Sequence, residues 1–105
     1  MLNNDLNILI SNIEKVVHEP ARLKILIYLN ILKSAEFVFL LNKTNLTKGN
    51  LSSHISKLEN ANYVNVKKDF VDKIPRTLIS ITSSGSEALR LYKKNILNLM
   101  NIVNI

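Results

Sequence analysis

Residues 46–63, reading Leu-Thr-Lys-Gly-Asn-Leu-Ser-Ser-His-Ile-Ser-Lys-Leu-Glu-Asn-Ala-Asn-Tyr, gather hydrogen-bonding side chains at helical spacing. Leu51, Ile55 and Leu58 make one narrow apolar seam. At about 100° per residue, Gly49, Ser52, Ser53 and Ser56 fall on the opposite side, with Asn50 and Lys57 on one flank and Lys48 and His54 nearer the seam. An ordinary solvated helix face carries Glu and Lys pairs, whereas short hydroxyls and amides let a helix approach another surface and hydrogen-bond to it. Serine can bond a base edge or a phosphate, and asparagine can pair bidentately with adenine. Lys48 and Lys57 suit phosphates, with help from first-turn amides, and Gly49 admits close approach of the backbone. The pattern predicts a helix that reads the DNA major groove.

Other chemistry finds less support. The sequence has two His and no Cys, so thiolate metal or redox sites are excluded. A metal site at His54 would need carboxylates such as Glu14, Glu19 or Glu59 brought to it, and a packing or phosphate-facing histidine is the simpler reading. No nucleophile, base and oxyanion set stands at recognisable spacing. With two Gly, the chain has no phosphate-cradling loop. No enzyme activity and no cofactor are expected.

The elements that must position the reading helix follow from the pattern around it. Thr47 is a suitable N-cap, and the helix should end at Ala61, because Asn62 tolerates the left-handed position that follows. Lys43-Thr44-Asn45-Leu46 then forms the turn of a helix-turn-helix spanning residues 35–62, whose first helix runs from a Ser34 cap through the apolar Phe37-Val38-Phe39-Leu40-Leu41. A strand is the rival reading of that run. Upstream, a first helix is predicted over 5–17 from Leu6, Leu9, Ile10, Ile13, Val16 and Val17, and a second over 20–33, opened by Pro20. Downstream, alternation in 63–68 and 76–82 predicts a hairpin spanning 63–82, joined by a loop from Asp69 to Pro75. Thr82 caps a final helix over 83–104, with Ala88, Leu89, Tyr92, Ile96, Leu99, Met100 and Val103 along one side. The fold class is mostly α with a β-hairpin, α+β, in a single domain over 1–105.

The 105 residues are 47% apolar, enough for one core. A net charge of +6 favours an acidic partner. Every apolar run is interrupted well short of a membrane span, and the N-terminus lacks a basic leader pattern, so a soluble cytoplasmic protein with no membrane partner is expected.

The order helix, helix, helix-turn-helix, two-stranded hairpin, helix resembles the winged-helix transcriptional regulators of the MarR and ArsR group. Pro20-Ala21-Arg22-Leu23-Lys24-Ile25-Leu26 is similar to their opening helix, the stretch from Leu46 to Glu59 to their recognition helix, and Pro75-Arg76-Thr77 with Ile81-Thr82 and Gly85 to their second wing strand and following helix. The resemblance implies double-stranded DNA as partner, contacted by Thr47, Lys48, Gly49, Asn50, Ser52, Ser53, Ser56 and Lys57. On the wing it implies Lys73, Arg76 and Thr77, with Arg76 at the minor groove or its phosphates. It also implies a homodimer through the terminal helices, at Leu6, Leu9, Ile13, Leu89, Tyr92, Ile96, Leu99, Met100 and Val103; an unidentified small-molecule effector between those helices and the helix at 37–41 is compatible with it. The wing of the group is usually rich in Gly and Arg, whereas Asp69-Phe70-Val71-Asp72-Lys73 carries two acids and two apolar residues. The alternative is a winged helix used as a protein-interaction module, docking through the surface at 37–41 and the terminal helices.

Overall fold

The computed structural model describes residues 2–103, with side chains from Leu6 onward. These residues form five helices and three strands: α1 (Leu2–Ser11), α2 (Pro20–Leu32), β1 (Ser34–Glu36), α3 (Phe37–Thr44), α4 (Lys48–Asn60), β2 (Val64–Val71), β3 (Ile74–Ile81) and α5 (Ser83–Met100). The architecture is a winged helix. Its core is one cluster in which Val17, Ile25, Leu26, Leu29, Leu40, Leu51, Leu58, Val64 and Ile79 are all but inaccessible to water. The predicted seam of α4 supplies Leu51, Ile55 and Leu58 to this cluster, and burying each contributes about 1.5–3 kcal/mol.

Caps set where the helices begin. The Thr47 hydroxyl accepts from the Asn50 amide at 3.1 Å, and the Thr82 hydroxyl accepts from the Gly85 amide at 2.9 Å. Glu19 caps α2, accepting from the amides of Ala21 and Arg22. Left-handed residues set the exits: Asn45 (φ 57°) ends α3, and Asn62 (φ 64°) follows α4. Asparagine reaches this region at small cost because its short polar side chain bonds locally.

Four elements differ from the sequence pattern. The first helix stops at Ser11 instead of Val17. The Glu14 carboxylate accepts from the Val17 amide at 2.7 Å, while the Arg22 guanidinium donates to the carbonyls of Val16 at 2.6 Å and Lys15 at 3.5 Å. Residues 12–19 thus add side-chain bonds to backbone ones, such as the His18 amide donating to the Glu14 carbonyl at 2.9 Å, and still bury Val17. Ser34 does not cap the third helix. Ser34-Ala35-Glu36 instead pairs antiparallel with Ser80-Ile79-Leu78, making a sheet of order β1-β3-β2, and the helix begins at Phe37 with Glu36 as an N-cap whose side chain makes no capping bond. A three-residue strand carries too little alternation to be seen in isolation.

The hairpin differs most. The predicted loop from Asp69 to Pro75 is a two-residue turn, Asp72-Lys73, and the ladder runs without a bulge from Val64↔Ile81 to Val71↔Ile74. Both turn residues have positive φ, 51° and 66°, as a type I′ turn requires. Pro75 thus lies inside β3, opposite Phe70. A two-residue turn closes on a hydrogen-bonded pair at Val71↔Ile74, so the next pair has its amides facing away and proline sacrifices no ladder bond. Finally, α5 ends at Met100 rather than 104; Asn104 lies outside the described residues.

The molecule is elongated, 61 × 25 × 21 Å with a radius of gyration of 16.1 Å, against about 13 Å for a compact domain of this length. α5 packs on α1 and α2.

Candidate nucleic-acid interface

The polar side of α4 is fully presented. Lys48, Gly49, Asn50, Ser52, Ser53, Ser56 and Lys57 are exposed, as is the cap residue Thr47. Among the described residues, no hydrogen bond or ion pair engages the side chains of Lys48, Asn50, Ser52, Ser53, Ser56 or Lys57. A Cβ built on Gly49 would meet nothing within 4 Å, so no internal packing demands glycine there.

His54 is held on the flank. Its Nδ1 lies 3.1 Å from a guanidinium nitrogen of Arg22, and its Nε2 lies 3.8 Å from the Glu19 carboxylate. Because a guanidinium only donates, Nδ1 accepts. The same Arg22 binds the carbonyls of residues 15 and 16, so it ties α4 to the segment before α2. That segment is fastened at two more points: His18 Nδ1 is 2.7 Å from the Tyr92 hydroxyl on α5, and the Tyr63 hydroxyl donates to Glu14 at 3.2 Å. Burial, then the charge of Glu14 and the hydrogen bond to it, raise the Tyr63 phenol above its ordinary value. Among the described residues, no group of three His, Cys, Asp or Glu stands close enough to hold a metal.

Strand parity divides the wing into two faces. Val64, Val66, Lys68 and Phe70 share one with Ile81, Ile79, Thr77 and Pro75; Asn65, Lys67, Asp69 and Val71 share the other with Ser80, Leu78, Arg76 and Ile74. Lys68 and Thr77 line an open groove of about 680 Å³ together with Ser52, Ser56, Glu59, Ile55, Val66 and Phe37. Thr77, expected at the interface, thus joins the polar face of α4. Arg76 does not: on the far face it makes a bidentate pair with its cross-strand partner Asp69, Nε to Oδ1 at 2.9 Å and Nη2 to Oδ2 at 2.7 Å. The hydrogen bond from Arg76, and the charges of Arg76 and Lys67, hold the Asp69 carboxyl below its usual range. Lys73 is exposed in the turn. Lys68 and Glu59 were not among the residues expected at the interface, although Lys68↔Thr77 follows once the two-residue turn fixes the register.

The expected interface residues at the other end are mostly occupied within the chain. Leu99 is buried, Leu6, Leu9, Ile13 and Ile96 are half-buried, and Leu89 and Tyr92 pack on the core. Only Met100 and Val103 of that set are exposed. The exposed apolar side chains are instead Ile8 and Ile10 on α1, Ile27, Ile31 and Leu32 on α2, and Leu91 and Leu97 on α5. Ile27, Ile31 and Leu97 border an apolar groove of about 670 Å³ between α2 and α5. No helix among the described residues is long and apolar enough to cross a membrane.

Residues 21–100 match the family model described as winged helix DNA-binding domain. An uncharacterized protein of Methanocaldococcus jannaschii is 40% identical over 85 residues, covering 81% of this chain and 92% of that one. Among solved structures, a transcriptional regulator homologue from Pyrococcus horikoshii superposes with a TM-score of 0.84 at 28% identity, over 97% of this chain and 99% of its own. A MarR mutant from E. coli, complexed with operator DNA, has a TM-score of 0.64 at 16% identity over 99% of this chain and 78% of its own, a likeness of fold.

Proposed function

This chain belongs to the winged helix DNA-binding domain family, its family and fold are those of DNA-binding transcriptional regulators rather than enzymes, and from that premise we propose a sequence-specific regulator that binds duplex DNA as a homodimer. α4 enters the major groove, with Asn50, Ser52, Ser53 and Ser56 at base edges and Lys48 and Lys57 at phosphates, assisted by the Thr47–Gly49 backbone at the helix start. Lys68, Thr77 and Lys73 reach the adjoining backbone. Glu59, in the same groove, has the chemistry to accept from a cytosine amino group. The observation that carries this reading is the free polar face of α4 running into the face of the wing that bears Lys68 and Thr77. The Pyrococcus relative and the operator-bound MarR fold support the same assignment.

Dimerisation is supported by the elongated shape and by the apolar side chains left exposed on α1, α2 and α5. A second copy that covers Ile27, Ile31 and Leu97 would remove them from water, and such a dimer is expected to bind half-sites one turn of DNA, about 34–36 Å, apart. Reducing cytoplasm is the compartment this reading fits.

Selection from a randomised duplex library at near-physiological salt is the test. The expected outcome is an enriched inverted repeat whose log affinity falls against log salt with a slope near about −7, for about eight phosphates neutralised by the dimer. A slope near zero with no enriched sequence overturns the assignment.

A further inference from the structure

We propose that the tip of the wing is an apolar wedge for the DNA minor groove, with Phe70 backed by Pro75 pressing on sugars and a base step. The proposal rests on the DNA-binding reading above and names the group with which the wing engages. Before the turn, the last two cross-strand pairs are Phe70↔Pro75 and Val71↔Ile74. Phe70 is 72% exposed, Ile74 67% and Val71 45%, and none belongs to the core cluster. Hairpin tips in water are ordinarily polar, so a ribbon ending in apolar side chains on both faces points to a partner.

Direction, size and stiffness identify that partner. Phe70 and Pro75 continue the face of Lys68 and Thr77, which borders the recognition helix. At about 3.4 Å per residue, Phe70 stands about 7 Å beyond Lys68, where the backbone and minor groove flank a helix seated in the major groove. The exposed apolar area of the tip is on the order of 400 Å², about half of what each side of a stable protein interface buries. It is therefore too small to hold a second copy by itself, but suits a wedge that accompanies a larger DNA contact. Phe, Ile and Pro are among the side chains that unstack base steps from the minor groove. The ribbon is braced for this: the type I′ turn closes its end, and the Asp69–Arg76 ion pair ties the strands one pair behind Phe70. Lys68, on the face of Phe70, and Lys73, in the turn, are exposed beside the tip and available to phosphates. Asp72 has the wrong sign for DNA, which is consistent with engagement through the apolar side of the ribbon rather than through the turn.

The test compares wild type with Phe70→Ser and Phe70→Leu on the selected duplex, reading affinity against salt, end-to-end energy transfer across the site, and 2-aminopurine fluorescence scanned along its flanks. Phe70 is exposed, so both variants should fold, which circular dichroism checks. Phe70→Ser should bind about tenfold more weakly, bend the duplex less and lose the 2-aminopurine signal, with an unchanged salt slope because no phosphate contact is lost. Phe70→Leu should keep most of the bend. A Phe70→Ser protein that binds and bends DNA as wild type does, or one that changes only its sedimentation as a dimer, overturns the wedge. If wild type itself shows no salt-dependent duplex binding, the DNA reading falls and takes the wedge with it.

Discussion

The outer side of α4 and the hairpin wing both face solvent with polar groups, yet they have used those groups differently. On α4, six hydrogen-bonding side chains from Lys48 to Lys57 are free of intramolecular partners among the described residues. On the wing, the strongest donor, Arg76, is already bound at both ends of its fork by Asp69. A bidentate pair of this kind is geometrically demanding, so using Arg76 on a phosphate would mean giving up a satisfied carboxylate. On the proposed function, α4 reads, and the wing holds its shape while offering Lys68 and Thr77 on the near face. Charge counted along the sequence does not separate these roles; strand parity does.

The largest expected effect tests what holds the two regions together. α5 starts against the base of the wing: the Thr82 hydroxyl donates to the Asn62 carbonyl at 2.6 Å, and the Thr82 amide to the Tyr63 carbonyl at 3.1 Å. A Cβ on Gly85 would lie 2.2 Å from that Tyr63 oxygen and 3.0 Å from Ile81 Cγ1. Gly85→Ala should therefore destabilise the protein by about 3 kcal/mol, the upper end of overpacking costs, because backbone rather than a flexible side-chain end must yield. Urea denaturation measures it. A cost below about 0.5 kcal/mol would mean that α5 can slide off the wing without penalty.

Next in size is the reading function of α4. Ser53→Ala should leave the urea midpoint nearly unchanged and reduce discrimination between the selected site and single-base variants by about 1 kcal/mol, the size of one neutral hydrogen bond. Retained discrimination together with a shifted midpoint would reverse the assignment and make Ser53 structural.

The contrast within the wing gives a smaller effect. Lys68→Ala should flatten the salt slope by about 0.9 per protomer, while Arg76→Ala should leave the slope unchanged and loosen the hairpin. A slope that flattens with Arg76→Ala and not with Lys68→Ala would return the DNA contact to Arg76. The pH dependence has a definite sign. Because Asp69 titrates below its usual value in the folded protein, its pairing stabilises the wing above the ordinary aspartate pKa of about 4 and is lost as pH falls through the depressed value. The Asp69 carboxyl resonance should follow this course in wild type and move up toward the ordinary value in Arg76→Ala.

Legibility in the sequence followed the range of the forces involved. The buried seam and the Thr47 cap of α4, the Thr82 cap of α5 and the left-handed Asn62 are local, and residue type and spacing revealed them. What escaped was imposed from a distance. The end of α1 depends on Arg22 reaching back to Val16, β1 exists only because β3 lies beside it, and the turn uses Asp72-Lys73 where Asn-Gly would have signalled the same geometry. For the candidate interface, the α4 face could be laid out residue by residue. The wing could not, because shortening a seven-residue loop to two residues changes which side chains oppose one another and hence which face each occupies. On the terminal stripe the apolar periodicity was legible, but its division was not: α1 and the core cover much of it, while Ile27, Ile31, Leu97 and Met100 stay exposed.

The smallest effect separates the two uses of glycine. Gly85 is required by contact, whereas Gly49 sits exposed in the first turn of α4 with open space where a Cβ would be. In the free protein, Gly49→Ala should raise stability by about 0.5–1 kcal/mol, because alanine has the better helix propensity and a less disordered unfolded chain. Retaining glycine at such a position forgoes that gain, and a close approach of the helix start to DNA supplies a reason. The same variant should then bind the selected duplex more weakly, since its added methyl stands between the first-turn amides and the phosphate they meet. Urea denaturation and duplex titration on one preparation measure both quantities. A variant that is more stable and binds equally well would leave Gly49 without a role in approach and assign the phosphate contact at this end of α4 to Lys48.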